Sequence, residues 1–241
     1  MNKKTIVIIP TYNEIENISK IIDLVISEDK NIDVLVVDDN SPDGTSSIVS
    51  QKEVIFKNRV FLIKRLDKKG LGTAYIEGFR WALKRKYDFI VSMDADFSHN
   101  PSELTKMIRY FSNGVDVVVG SRYLNGVSVV NWPIGRIFLS YIAQIYVRLI
   151  TGMPINDPTS GFVAYSKESV NALNLDKFRF IGYAFQIEMK YKIWKKKFKL
   201  KEHQIIFMNR ELGESKLDKK IILEAVFGVL KLRLDSILKR L

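Results

Sequence analysis

Residues 5–45 read TIVIIPTYNEIENISKIIDLVISEDKNIDVLVVDDNSPDGT. Two short runs rich in β-branched residues, Thr5–Ile9 and Asp33–Val37, flank a longer amphipathic stretch at about Glu14–Glu28. Strand, helix and strand in that succession predict a parallel pair with a covering helix. Each run ends in a polar cluster, Pro10–Glu14 after the first and Asp38–Thr45 after the second.

The alternation continues outward from this unit. Val60–Lys64, Phe89–Met93 and Asp116–Val119 read as further strands, and about 44–51, 71–85 and 101–111 as helices. Four of the five strands are near-continuous apolar runs, the pattern of strands buried on both faces. The expected fold class is therefore α/β, a Rossmann-like, mostly parallel sheet covered by helices. Asp94–Pro101 follows the fourth strand and Gly120–Arg122 the fifth. In open sheets of this kind, ligands bind outside the carboxyl ends of the strands. Four polar clusters on that one edge mark a binding site.

The chain has 241 residues, 46% hydrophobic, enough for one sizeable domain and too apolar for disorder. No cysteine is present, which excludes disulfides and thiolate metal sites and suits a reducing compartment. The net charge of +11 favours nucleic acid, an anionic membrane or phosphorylated substrates, unless the lysines are simply solvated. Thr5–Ile9 is too short for a signal-peptide core, and no uninterrupted apolar stretch approaches the ~20 residues of a bilayer span. A cytoplasmic protein is expected, lying at most on a membrane surface.

From Trp132 the pattern changes. Arg136–Ile150 is apolar nearly all round, except for Arg136, Ser140, Gln144 and Arg148, which recur every four residues as one polar stripe. At ~15 residues it is too short to span. Core helix and interfacial helix both fit. Lys219–Leu241 is also helical in pattern, either a covering helix or a basic amphipathic anchor, with the anchor preferred. The expected organisation is a catalytic domain over 1–217, including an interface helix at about 133–151, and a C-terminal helix over 218–241.

Asp94-Ala95-Asp96 is the sharpest chemical feature. Two carboxylates one residue apart suit a hard cation such as Mg²⁺, which fills its other positions with water and substrate phosphates. Common as such triplets are in loops, this one closes an apolar strand beside other acidic clusters. Asp38 can accept hydrogen bonds from a base or ribose, while Asp43 serves as a helix cap. Lys69–Thr73 opens a helix with two glycines but lacks the P-loop and dinucleotide patterns. Arg122, Arg136, Arg210 and Lys216 are cations suited to phosphate. His99 and His203 read as structural, two distant histidines without cysteine arguing against zinc.

Eight stretches in order resemble the dolichol- (polyprenol-) phosphate mannosyltransferases, inverting glycosyltransferases of family 2 with the GT-A fold. They are residues 10–14, 38–45, 69–74, 93–101, 120–123, 157–162, 182–188 and 213–216, almost the whole chain. The resemblance implies a nucleotide pocket lined by Pro10, Tyr12, Glu14, Val36 and Asp38. It implies Asp94, Ala95 and Asp96 around the donor diphosphate, with Asp94, Asp96 and Ser98 on Mg²⁺ or Mn²⁺. Arg122, Arg136 and Ser140 would grip the acceptor phosphate, and Arg210 and Lys216 would reach over the donor. It makes Asp96, Arg122 and Arg136 the catalytic residues.

The implied partners are GDP-mannose, a polyprenyl or dolichyl phosphate, and a membrane surface met peripherally on its cytoplasmic face, with no nucleic acid. The polar stripe of the 136–150 helix would then face the site, its apolar side among lipid tails. Some family members carry transmembrane helices after the catalytic domain; this chain would dock through its own helices or use a small membrane anchor subunit. A phosphate monoester is already an oxyanion at neutral pH, so no general base is expected. Rival readings are the same scaffold using UDP-glucose or a glycan acceptor, and a non-catalytic basic module binding membrane or nucleic acid. The last leaves Asp94 and Asp96 without a purpose.

Overall fold

The computed structural model describes residues 3–182, 184–209 and 219–238, with the backbone alone described at 219–225. The elements run β1 (Thr5–Thr11), α1 (Ile15–Glu28), β2 (Ile32–Asp38), α2 (Thr45–Ile55), β3 (Val60–Lys64), α3 (Leu71–Lys84), β4 (Phe89–Ser92) and α4 (Leu104–Arg109). They continue through β5 (Val117–Ser121), β6 (Val129–Val130), α5 (Ile134–Thr151), β7 (Val163–Ser166), α6 (Lys167–Asn171), α7 (Ala184–Lys195), β8 (Leu200–Gln204), β9 (Phe207–Met208) and α8 (Lys219–Ile237).

Seven strands form one sheet in the order β3-β2-β1-β4-β7-β5-β8. β7 alone runs against its neighbours β4 and β5; every other pairing in the sheet is parallel. This is the expected mostly parallel, helix-covered α/β fold. Alternate residues of each strand feed opposite faces. Ile6, Ile8, Leu35 and Val37 pack with Tyr75 and Phe79 of α3 and Phe185 and Met189 of α7. Val7, Ile9, Val34 and Val36 pack with Ile18 and Ile22 of α1, Val49 of α2 and Met107 of α4.

Departures from the sequence reading have local causes. The segment read as one helix over 101–111 is a 3₁₀ turn (Pro101–Glu103), α4 and a second 3₁₀ turn (Tyr110–Asn113). Pro101 starts it after Asn100, whose side chain accepts from the Ser102 N–H, so the entry is capped and tight. α5 is 18 residues long rather than ~15, and its mean hydropathy of 1.2 makes it long and apolar enough to cross a membrane by length and composition. One side of it is docked: Gln144, Val147 and Thr151 are buried.

The opposite side of α5 is bare, with Ile134 85%, Phe138 66% and Leu149 78% exposed. α8 lies against α5 and α7. The Tyr146 hydroxyl of α5 donates to the Val226 carbonyl at 2.8 Å, Arg179 pairs with Asp235, and Val229 and Leu232 are buried. The C-terminal helix therefore covers the domain, while its Phe227, Leu234 and Ile237 stay exposed.

Candidate active site

Three loops at the carboxyl edge turn sharply after β1, β2 and β4. Asn13 and Asn40 hold φ of +58°, and Phe97 holds +59°. Asparagine tolerates this left-handed region, whereas a bulky residue there stores ~1–3 kcal/mol that its surroundings must sustain. Phe97 lies directly after Asp94-Ala-Asp96, so the strained turn is the one that aims the two carboxylates.

Asp96 is buried, and its Oδ1 accepts from the Ser98 hydroxyl at 2.6 Å and the Ser98 N–H at 3.2 Å. Asp94 is more open; its Oδ1 accepts from the Tyr75 hydroxyl at 3.3 Å, and its N–H donates to His99 Nδ1 at 3.1 Å. His99 must therefore present an unprotonated Nδ1. Burial pushes its pKa below the usual histidine range, against the pull of Asp94 and Asp96. Its ring stacks on Phe162 at 5.0 Å and meets Phe207 edge-on at 5.5 Å. The structural role read for His99 is thus to brace the Asp94 loop.

Among the described residues, no three His, Asp or Glu side chains converge as a closed metal site. A carboxylate pair fits a cation that draws its remaining ligands from water and phosphate, so Asp94 and Asp96 suit Mg²⁺ or Mn²⁺. The Ser98 hydroxyl donates to Asp96 and orients that carboxylate, while its oxygen lone pairs stay available to a cation.

Asp38 lies wholly buried beneath the neighbouring loop. Its Oδ1 accepts from Thr11 (2.8 Å) and Ser41 (2.6 Å), and its Oδ2 from the Ser41 N–H (3.0 Å). It stitches the β1 and β2 loops together. Val36 is buried in the sheet opposite Ile9. Tyr12 is part-exposed under the Lys68 ammonium, 3.8 Å from its ring centroid, with Pro10 and Glu14 part-exposed beside it. Asp39 pairs at 2.6 Å with Arg65, which also donates to Thr73 at 2.7 Å and so ties this loop to the start of α3.

On the other side of the edge, Asp157 grips Arg122. The guanidinium donates from Nε and Nη2 to the two carboxylate oxygens, both at 2.7 Å, and Nη2 also reaches Thr159 at 2.8 Å. Burial would raise the Asp157 pKa, but Arg122 and then Lys190 hold it below the usual carboxylate range. Lys190 is wholly buried, donates to the Ser160 carbonyl at 2.7 Å, and is lowered to about 7 by burial. Residues 157–162 are one of the eight resembling stretches, but no site role for Asp157, Thr159 or Lys190 follows from the sequence. An acidic residue opposite an arginine 35 positions away leaves no local signature, because only the fold brings them together.

Three residues of the polar stripe of α5, Arg136, Ser140 and Gln144, meet partners around Arg122. Arg136 Nη1 donates to Asn209 at 2.9 Å, and its guanidinium lies 4.0 Å from the Trp132 ring centroid. Ser140 accepts from the Tyr123 hydroxyl at 2.7 Å, and Gln144 donates to Thr159 at 2.8 Å. Arg148, at the far end, is exposed. Arg210 and Lys216 lie outside the described residues.

Comparison with known proteins adds an independent finding. Residues 6–173 match the model of "Glycosyl transferase family 2". The chain is 41% identical to a polyprenol monophosphomannose synthase of Mycolicibacterium smegmatis over 94% of its own length and 86% of the relative's. It is 40% identical to an undecaprenyl-phosphate mannosyltransferase of Micrococcus luteus, covering 94% and 92%. It is 39% identical to a dolichol-phosphate mannosyltransferase of Pyrococcus furiosus, of which it spans only 63%. Among solved structures, glucosyl-3-phosphoglycerate synthase from Mycobacterium tuberculosis superposes with a TM-score of 0.72 at 16% identity, covering 96% of this chain and 80% of that one. The same protein bound to Mn²⁺, UDP-glucose and phosphoglyceric acid gives 0.69 at 17%, with the same coverage. At that identity the likeness speaks for the fold.

Proposed function

The chain belongs to glycosyl transferase family 2 and is a glycosyltransferase, and on that premise we propose that it transfers mannose from GDP-mannose to a polyprenyl phosphate with inversion. The observation that carries this reading is the meeting, on one sheet edge, of a carboxylate pair on one side and a cation-bearing helix on the other. Pro10, Tyr12, Glu14, Val36 and Asp38 line the nucleotide pocket on the donor side in this reading. Asp94 and Asp96 would hold a divalent cation, Mg²⁺ or Mn²⁺, which when bound neutralises charge growing on the departing nucleoside diphosphate.

The acceptor phosphate binds against Arg136 and Ser140, with Arg122 presented in one orientation by Asp157. One of its oxygens attacks the anomeric carbon in line. The new carbon–oxygen bond forms as the bond to the diphosphate breaks, turning an α-linked donor into a β-linked product. No side chain need remove a proton, since the second pKa of a phosphate monoester is ~6. Asp96 is thus a cation ligand rather than a base, and catalysis rests on orientation and charge. Arg210 and Lys216 complete the donor side in this reading.

The bare faces of α5 and α8 would rest on the cytoplasmic face of a membrane, either unaided or with a small anchor subunit. They would present the site to a lipid-borne phosphate. The domain then comprises 1–217, with 218–241 as its C-terminal membrane-facing helix.

The test is transfer of labelled mannose from GDP-mannose to a short polyprenyl phosphate, with Mg²⁺ or Mn²⁺ and detergent, and UDP-glucose in parallel. Product from GDP-mannose alone is expected, lost with EDTA and reduced at least ~100-fold in Asp96→Ala. Product from UDP-glucose alone would overturn the donor. Activity that persists in Asp96→Ala would overturn the role of the carboxylate pair.

A further inference from the structure

Phe207, which no step above uses, occupies the short strand β9 and touches both halves of the site. Its ring meets His99 edge-on at 5.5 Å and Trp132 edge-on at 5.4 Å, and the Arg122 guanidinium lies 5.4 Å from its centroid. Through His99 it supports the group that accepts the Asp94 N–H. Through Trp132 it supports the ring face on which Arg136 lies, and Trp132 also sits 5.7 Å from Arg122. The Trp132 ring packs against Phe207 and lies beside the two guanidiniums.

β9 is itself held in register. It pairs with β6 as a two-stranded sheet, the Phe207 N–H donates to the Ser128 carbonyl at 3.0 Å, and the Asn209 N–H donates to the Val130 carbonyl at 3.0 Å. Asn209, two residues on, also accepts from Arg136. Edge-to-face rings and guanidinium–ring contacts are directional, and a branched aliphatic side chain cannot reproduce them.

We infer that Phe207 is a positioning residue for transfer, fixing Trp132 with Arg122 and Arg136 in register with His99 and the Asp94 loop. This rests on the proposed function, because only a two-substrate reaction needs those two groups held at one separation. The step it affects is in-line attack, where misplacement by ~1 Å can cost a hundredfold.

The experiment compares Phe207→Leu with Phe207→Tyr, which keeps the ring. Wild-type kcat in Phe207→Tyr is expected to be largely retained, and kcat in Phe207→Leu to fall at least tenfold. KM for GDP-mannose should move less than threefold, with thermal midpoints close to wild type. A Phe207→Leu kcat within twofold of wild type, or a loss confined to one KM, would overturn the inference. So would a loss in Phe207→Tyr equal to that in Phe207→Leu.

A second readout needs no turnover. In a Trp81→Phe, Trp194→Phe background Trp132 is the sole tryptophan, and GDP with Mg²⁺ should change its fluorescence. Phe207→Leu should abolish that change while GDP still binds by calorimetry; an undiminished change would overturn the inference. Wild-type protein that neither binds GDP nor transfers mannose would instead sink the proposed function, and this inference with it.

Discussion

Asp157 and Lys190 show how much of the site's architecture hangs on buried charge. Removing one member of a buried hydrogen-bonded pair strands the other, at ~3–5 kcal/mol. Asp157→Asn is therefore expected to lower stability by about that amount and to cripple transfer, measured by urea denaturation beside the mannose assay. Lys190 yields a prediction in pH. Its folded pKa of about 7 lies below the ordinary 10.5, so between those values the unfolded chain carries a proton that the folded chain lacks. Its contribution makes wild-type stability rise with pH across that window, and Lys190→Met should flatten the rise in denaturation at pH 7, 8 and 9. At this scale the sequence was legible where chemistry is local. Asp94 and Asp96 announce themselves at a strand end, whereas Asp157, Thr159 and Lys190 acquire meaning only through partners dozens of residues away.

The helices and strands repeat that division. β1 to β5 were readable because apolar runs between turn signals are a local pattern, and each lies within about two residues of the expected span. β7 has four residues, and β8 reads Leu-Lys-Glu-His-Gln, with no apolar alternation to announce a sheet edge. α7 buries Gln186, Glu188 and Lys190 among its apolar residues, so its buried face carries polar groups that break the amphipathic pattern. The packing of α8 was equally hidden. Its Gly228 lies against Phe180 so closely that a Cβ would come within 2.6 Å of that ring. Gly228→Val is expected to push α8 away from Phe180 at ~1–3 kcal/mol, seen as faster amide exchange over 226–238 with the β1 and β4 amides still protected.

At the level of the whole molecule, the +11 charge and the bare sides of α5 and α8 together predict attachment to anionic bilayers. Basic residues near such a surface contribute ~1 kcal/mol each, and salt screens them. Sedimentation with vesicles containing phosphatidylglycerol should capture the wild type at low salt. Phe138→Glu with Leu149→Glu should reduce capture at least tenfold, and capture that requires an added membrane protein would show that the chain's own helices do not suffice.

The antiparallel strand β7 carries a consequence for how the chain is made. It lies between β4 and β5, yet it follows both in sequence. A nascent chain that has emerged only as far as residue 121 holds one four-stranded fragment, β3-β2-β1-β4, open at β4 where β7 belongs, and a lone unpaired strand β5 whose partners β7 and β8 are still to come. Such edges recruit other strands, and the long wait for a central strand favours aggregation over folding. Residues 1–160 expressed alone should therefore collect in inclusion bodies, whereas the full chain, which adds β7 and β8 and the covering α8, should stay soluble. Synthesis of this protein has a vulnerable interval of some forty residues between β5 and β7, when a holdase chaperone would matter most.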